Sequence, residues 1–447
     1  MIDFTLLTSV LLGVVVLLVL ILRFKIQAFI ALLIASILVG VLSGMEPLAI
    51  IKTLQDGMAN TLGFVAMVVG LGAIFGAILE HSGGAESLAT FLLAKFGEKR
   101  APWALMLTGF IVAIPVFFEV AFIILVPIIY ALQKRTGKPL LLYGIPLLAG
   151  LAITHTFIPP TPGPVAVADI LKADLGWVIF FGFIAGIPTA ILCGPLFGKY
   201  ISKRVHVSGL QMDTDGKKLE NPPPVGAIIS IISIPILLIV VNTVINSPLI
   251  GENIIPENVL RWLGMIGHPF SALIIANLIA WYLLGIRRGY TKDTLLDIST
   301  KSMAPAGMII LITGAGGVFK QMLVNTGAGE MLANYFANEG VSILLFAFLS
   351  AAVIRILQGS ATVAMITAAG LTAPLLAESI SDPQKALLVI AVASGASIMS
   401  HVNDSGFWLV GKYLGLSEKQ TFKSWTVMTT LLAITGFASA SVLSLFF

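Results

Sequence analysis

Unbroken apolar runs of helical length constrain this chain more than any other feature. Phe4 to Leu22, Ile26 to Val41, Val178 to Leu196 and Val427 to Phe447 contain no charged residue. About 20 residues of helix, rising 1.5 Å each, cross a hydrocarbon core roughly 30 Å thick. Only helices and closed barrels satisfy their own backbone hydrogen bonds in lipid, and barrel strands alternate with a period of two. The runs show no such alternation, so the expected fold is an all-α polytopic membrane protein. Composition agrees: 57% hydrophobic and 11% charged residues exclude a soluble globule, which carries about 25% charge. A single cysteine, Cys193, excludes an internal disulfide. The opening run lacks a basic leader and a small-residue cleavage site, and reads as a retained span.

The net charge of +4 does not point to nucleic acid, because the basic residues form short clusters between spans. Arg23 and Lys25, Lys95 to Arg100, Lys134 to Lys138, Lys199 to Arg204, Lys217 with Lys218, and Arg287 to Lys292 mark cytoplasmic connections under the positive-inside rule. Both termini are then expected outside. The one long polar stretch, 202–224, reads as a cytoplasmic linker between two membrane halves, 1–201 and 225–447.

The halves resemble each other. A shift of 244 positions lays Gly70–Ala89 on Gly314–Ala333 with eight of twenty residues identical, glycines and a glutamate among them. Charge gives the orientation. Segments 95–100 and 134–138 hold three Lys or Arg each, whereas 334–340 and 376–385 hold none and one, and the bias reverses between 166–176 and 410–423. Two inverted repeats are expected, the architecture in which secondary transporters bind solute at discontinuous helices near the midplane.

Each half offers two discontinuities. The arms 101–116 and 118–133 are about 24 Å long, short for full spans, and Pro115 interrupts them, so a re-entrant hairpin is expected. Its counterpart is 341–376, with the tip near Arg355 to Thr362. The second break in each half is expected at His155–Pro164, where prolines crowd the chain, and at Ser400–Gly406.

The strings FFEVAFIILVP (117–127), HTFIPPTPGPVAVA (155–168), GAGGVFKQ (314–321), QGSATVAMITA (358–368) and SHVNDSGFWLV (400–410) closely resemble the gluconate permease family, over essentially the whole chain. That resemblance implies a multi-pass protein of the bacterial cytoplasmic membrane, importing gluconate or a related sugar acid with protons. It also implies an elevator mechanism and a homodimer, with scaffold helices in 1–56 and 225–300 and transport elements in 57–200 and 301–447. The family commonly reads PPHPGP where this chain carries Thr161.

Ionisable side chains within a membrane are costly, about 2.5–3.5 kcal/mol each at a helix centre, and call for a reason. Glu119, between Phe118 and Val120, is expected to be desolvated and to carry a proton, or else to close the hairpin by hydrogen bonding. Asp404 carries a proton or caps the broken helix end. His155 and His401 titrate near neutrality or donate structural hydrogen bonds. Arg355 can pair a substrate carboxylate or a carboxylate of the protein, and the second is the expected partner. Candidate substrate ligands are Phe118, Glu119, His155, Thr156, Pro159, Pro160, Thr161 and Gly163, then Gln358, Gly359, Ser360, Thr362, His401, Asn403, Asp404 and Ser405. Glu119, Asp404 and His155 are the candidate proton carriers. Half-helix N-termini and backbone amides would meet the substrate's negative charge.

No metal or cofactor is called for, and no Walker A sequence implies ATP. Gly70-Leu71-Gly72 does not complete a dinucleotide loop, because Phe75 occupies the final position. Three alternatives stand beside this reading: sodium-coupled organic-anion transport, a passive channel, and an intramembrane hydrolase using SHVNDSG. The hydrolase would need a positioned base and an oxyanion hole, and has no use for paired broken helices.

Overall fold

The chain is described here by a computed structural model covering residues 4–205, 207, 222–245, 256–328, 342–377, 380–401 and 404–447. Most of the linker and the second copy of the matched repeat beyond Ala328 therefore lie outside the described residues. All regular structure among those described is helical.

The first half runs α1 (Phe4–Leu22), α2 (Ala28–Leu42), α3 (Pro47–His81), α4 (Gly84–Phe96), α5 (Ala101–Val112), α6 (Phe118–Thr136), α7 (Leu141–Phe157), α8 (Pro162–Leu171) and α9 (Leu175–Ile201). The second runs α10 (Val225–Ile245), α11 (Glu257–Gly267), α12 (Pro269–Arg288), α13 (Lys292–Asn325), α14 (Ile343–Gln358), α15 (Ala361–Thr372), α16 (Asp382–Gly395), α17 (Ser405–Leu414) and α18 (Glu418–Leu443). Among the described residues, seven stretches are long and apolar enough to cross a membrane: α3, α7 with α8, α9, α10, α12, α13 and α18.

The two longest helices, α3 and α13, pack along each other. Small residues let them do so: a Cβ on Gly57 would meet the Val318 backbone, and one on Gly317 would strike Thr61. Close backbone approach of this kind substitutes in lipid for the hydrophobic drive available in water. Beside this pair, α5 packs against α7, and α14 and α15 pack against α16. α8 bridges them, touching α3, α15 and α16.

All four expected interruptions are present as breaks between helices. Residues 113–117 separate α5 from α6, with Pro115 in the turn. Gly359, at φ +87°, separates α14 from α15; its left-handed conformation strongly favours glycine. α7 breaks only at residues 158–161, so the expected unwound stretch is shorter than the prolines suggested. Pro162 and Pro164 open α8, where a missing N–H costs nothing because the first-turn donors are unpaired anyway. His155 thus sits in the last turn of α7. The second break, 396–404, is longer and includes His401; within it Met399 is left-handed at φ 45°.

Candidate functional site

The breaks converge. Helices α6, α15 and α17 each begin at a turn, and their N-termini meet the C-terminal end of α7 around one open cavity of about 350 Å³. Phe118 and Glu119 come from the start of α6, Ala152, His155 and Thr156 from α7, and Arg355 with Gln358 from the end of α14. Gly359, Ser360, Ala361 and Thr362 follow, then Ser397, Asp404, Ser405 and Gly406, and finally Trp425, Thr429 and Leu432 from α18.

Helix N-termini present unpaired N–H groups and a partial positive charge, equivalent to about half a unit each. The three differ in how that charge is met. Asp404 caps α17, its Oδ1 accepting from Gly406 N at 3.1 Å. Glu119 stands in the first turn of α6. Only a neutral group, Ser360 Oγ, caps α15, accepting from Val363 N at 3.3 Å.

A polar network fixes the second break. Arg355 Nη2 donates to Asp404 Oδ2 at 2.5 Å, and the Ser400 hydroxyl donates to the same oxygen. Trp425 Nε1 donates to Ser400 Oγ at 2.6 Å, Thr426 Oγ1 donates to the Ser400 carbonyl at 2.5 Å, and Ser400 N donates to Thr429 Oγ1 at 3.2 Å. Arg355 is only 4% exposed. A buried ion pair holds only when the remaining donors and acceptors are satisfied, and on the carboxylate side they are. On the guanidinium side, Nε and Nη1 find no partner among the described residues.

Glu119 is exposed, with no ion-pair or hydrogen-bond partner among the described residues. This corrects the expectation that its apolar neighbours bury it: the turn before Phe118 points the carboxyl into the open cavity while Phe118 packs inward, its ring 5.5 Å from that of Trp425. Nearby, His155 Nδ1 is buried without a partner, and the ring lies edge-on to Phe117 at 6.3 Å. A second cavity, about 390 Å³, lies on the other side of the same turn. Phe117 and Val120 line it together with Glu80, His81, Tyr290, Asp297 and Lys301.

Residues 5–446 match the family described as GntP family permease. The chain belongs to the GntP permease family. Among its relatives are a gluconate permease of Pseudomonas aeruginosa, 40% identical across 99% of this chain and 98% of the relative, and the low-affinity gluconate transporter of Escherichia coli K12, 41% identical across 95% of each. The Gnt-II system L-idonate transporter of the same organism is 40% identical, again across 95% of each. Among solved structures, the YdaH transporter of Alcanivorax borkumensis superposes with a TM-score of 0.60 at 14% identity, covering 90% of both chains. That likeness concerns the fold. The permease is a multi-pass membrane transporter and not an enzyme.

Ten of the sixteen residues nominated from sequence line the permease's cavity: Phe118, Glu119, His155, Thr156, Gln358, Gly359, Ser360, Thr362, Asp404 and Ser405. Others lie elsewhere. Pro160 and Thr161 face a crevice of about 10 Å³ beside Val69 and Gly72. The Thr161 hydroxyl donates to the Ile158 carbonyl at 2.7 Å. Pro159 is buried, and a Cβ on Gly163 would press on Met365 Sδ, so that glycine serves helix packing. His401 Nε2 donates to the Ile356 carbonyl at 2.9 Å, steadying the α14 tip from outside the cavity. Asn403 lies outside the described residues. The expected internal partner of Arg355 is present as Asp404. Sequence reasoning missed Ser397, Trp425 and Thr429, which reach the cavity from distant turns. An indole N–H near the start of an apolar span, needing a buried acceptor, was the signal available for Trp425.

Proposed function

We propose that this permease imports gluconate or a closely related sugar acid by proton symport, using the cavity at the helix breaks as its solute site. The observation that carries the reading is the convergence of three helix N-termini, an arginine and an unpaired glutamate on one space of about 350 Å³. Small-ligand sites occupy roughly 300–1,000 Å³. The side chains of Thr156, Gln358, Ser360, Thr362, Ser397 and Ser405 offer neutral donors and acceptors suited to a polyol chain. Relatives named for gluconate and L-idonate support the substrate class.

Charge bookkeeping supports proton coupling. Arg355 and Asp404 neutralise one another, so Glu119 is the acid left facing an incoming carboxylate. Two carboxylates in one small site repel, and protonating one removes that cost. Substrate anion and proton thus bind together and leave together. His155, within electrostatic reach of Glu119, is the second candidate carrier. In this reading Asp404 holds the site together, its oxygens being committed to Arg355, Ser400 and Gly406.

An inverted duplication moving as an elevator is the matching architecture. The pairs α3/α13, α5/α14, α6/α15, α7/α16, α8/α17 and α9/α18 begin 241 to 245 positions apart, bracketing the 244-residue shift of the matched segment. Residues 116–120 line two separate cavities, which supports alternating access about this turn. Extracytoplasmic termini, a scaffold formed by 1–56 and 225–300, and a dimer complete the proposal.

Uptake of labelled gluconate into proteoliposomes tests it. An inwardly directed proton gradient should drive accumulation and an uncoupler should collapse it. Accumulation indifferent to both, or driven by sodium alone, overturns proton coupling; recovery of altered solute overturns transport itself.

A further inference from the structure

We propose that Arg355 is the receptor for the substrate's carboxylate, held in place by Asp404, and that it confines this site to monocarboxylic polyol acids. The inference rests on the reading of the cavity as the sugar-acid site and assigns which end of the molecule goes where.

A guanidinium carries five N–H donors. Asp404 takes one, from Nη2. Nε and Nη1 find no partner among the described residues, although the residue is only 4% exposed and lies against the cavity. Leaving buried donors of a charged group unpaired is costly, and folds rarely tolerate it without a purpose. Asp404 cannot supply the missing acceptors: Oδ2 already takes Arg355 and Ser400, and Oδ1 takes Gly406 N. Of the other ionisable groups lining the cavity, Glu119 makes no ion pair or hydrogen bond with a described residue, and His155 offers only a ring nitrogen.

No described residue supplies the acceptor, and a ligand in the cavity can. Nη1 and the second N–H of Nη2, whose first goes to Asp404, offer an end-on fork, the geometry that a planar carboxylate meets with two parallel hydrogen bonds. Both orphan nitrogens are shielded from water in this conformation. The fork meets its ligand through a small swing of the side chain's end, about the Asp404 contact, towards the space the residue borders. Ser400, Trp425 and Thr426 keep Asp404 from following.

One free fork accommodates one carboxylate. Apart from Glu119, His155 and the committed Asp404, the polar groups of the wall are neutral: the Gln358 amide and the Ser360, Thr362 and Ser397 hydroxyls among them. The ligand class is thus a polyol chain ending in a single acid.

Calorimetric binding to purified full-length protein separates this role from a structural one. The probes are gluconate and gluconamide, which share every hydroxyl and differ in charge at one end. Wild type should prefer gluconate by at least about a hundredfold, because a site built to bond a group strongly rejects the analogue lacking it. In the double variant Arg355→Gln/Asp404→Asn, which keeps the pair neutral, the preference should fall to within about threefold while gluconamide binding persists. Arg355→Lys, which retains the charge and the Asp404 pair but loses the fork, should weaken gluconate at least about tenfold and leave gluconamide unchanged. A preference retained in the double variant, or equal losses for both ligands in Arg355→Lys, overturns the assignment. Wild type binding both probes equally overturns it while leaving the sugar-acid reading intact. Wild type binding neither sinks that reading too.

Discussion

At residues 158–161 the first broken helix turns through Ile158, two prolines and Thr161, all buried and facing apolar neighbours. At residues 396–404 the second turns through Ser397, Ser400 and Asp404, which face the cavity or brace it. The two interruptions occupy matching places in the chain and do opposite work. Proline needs no acceptor for a missing N–H, so the first break is made by composition and can be packed away. The second has no proline between Ala396 and Asp404, and its freed backbone groups are held by side chains instead, as in the Ser400 contacts to Thr426 and Thr429. A break held by polar groups must have them nearby, and those groups are then available to a solute.

The largest test of this contrast is Asp404→Ala. It strips Arg355 of its one side-chain partner among the described residues, and removing one member of a buried pair costs about 3–5 kcal/mol. Thermal melting in detergent should drop sharply and gluconate uptake vanish; a variant melting like wild type would mean the second break does not depend on its ion pair. Glu119→Gln comes next. Proton-driven accumulation should be lost while solute counterflow at equal pH continues, because the repelling charge is gone for good. Accumulation at wild-type levels would remove Glu119 from the coupling role.

His155→Asn, in the turn just before the first break, should leave folding intact and lower uptake by about a hundredfold, the lower end of what is expected when a proton-transfer partner is lost. An unchanged pH profile of uptake would reduce His155 to packing. The smallest effect is expected at Thr161. Thr161→Val removes only the hydrogen bond to the Ile158 carbonyl, worth about 1 kcal/mol, and should leave the ranking of sugar acids in competition uptake unaltered. A changed ranking would place the first break in the solute site after all and erase the contrast drawn above.

Helical class and the places of all four interruptions were legible in the chain, because apolar run length, proline and glycine act locally. Pro115, Gly359 and the cluster from Pro159 to Pro164 each forbid or discourage helix at their own positions. Many of the cavity residues were legible for the same reason, since a solute site in a helical membrane protein sits where helices stop. Less legible was the direction in which each residue faces. His155 and His401 are near-equivalent in the chain, yet one ring borders the cavity and the other binds the outside of the α14 tip. Glu119 read as buried from its neighbours and is exposed, because the flanking apolar groups turn into the core while the carboxyl does not.

Sequence by itself determined that lipid is the solvent, that the chain is helical, and where the helices must end; each follows from the cost of exposing or bending a backbone in hydrocarbon. Tertiary structure alone decided that Arg355 spends one nitrogen on Asp404 and keeps two unspent, and that Trp425 braces Ser400 from a helix 25 residues away. Hydrogen bonds are matters of tenths of an ångström and of direction, and no local rule relates residues that only packing brings together.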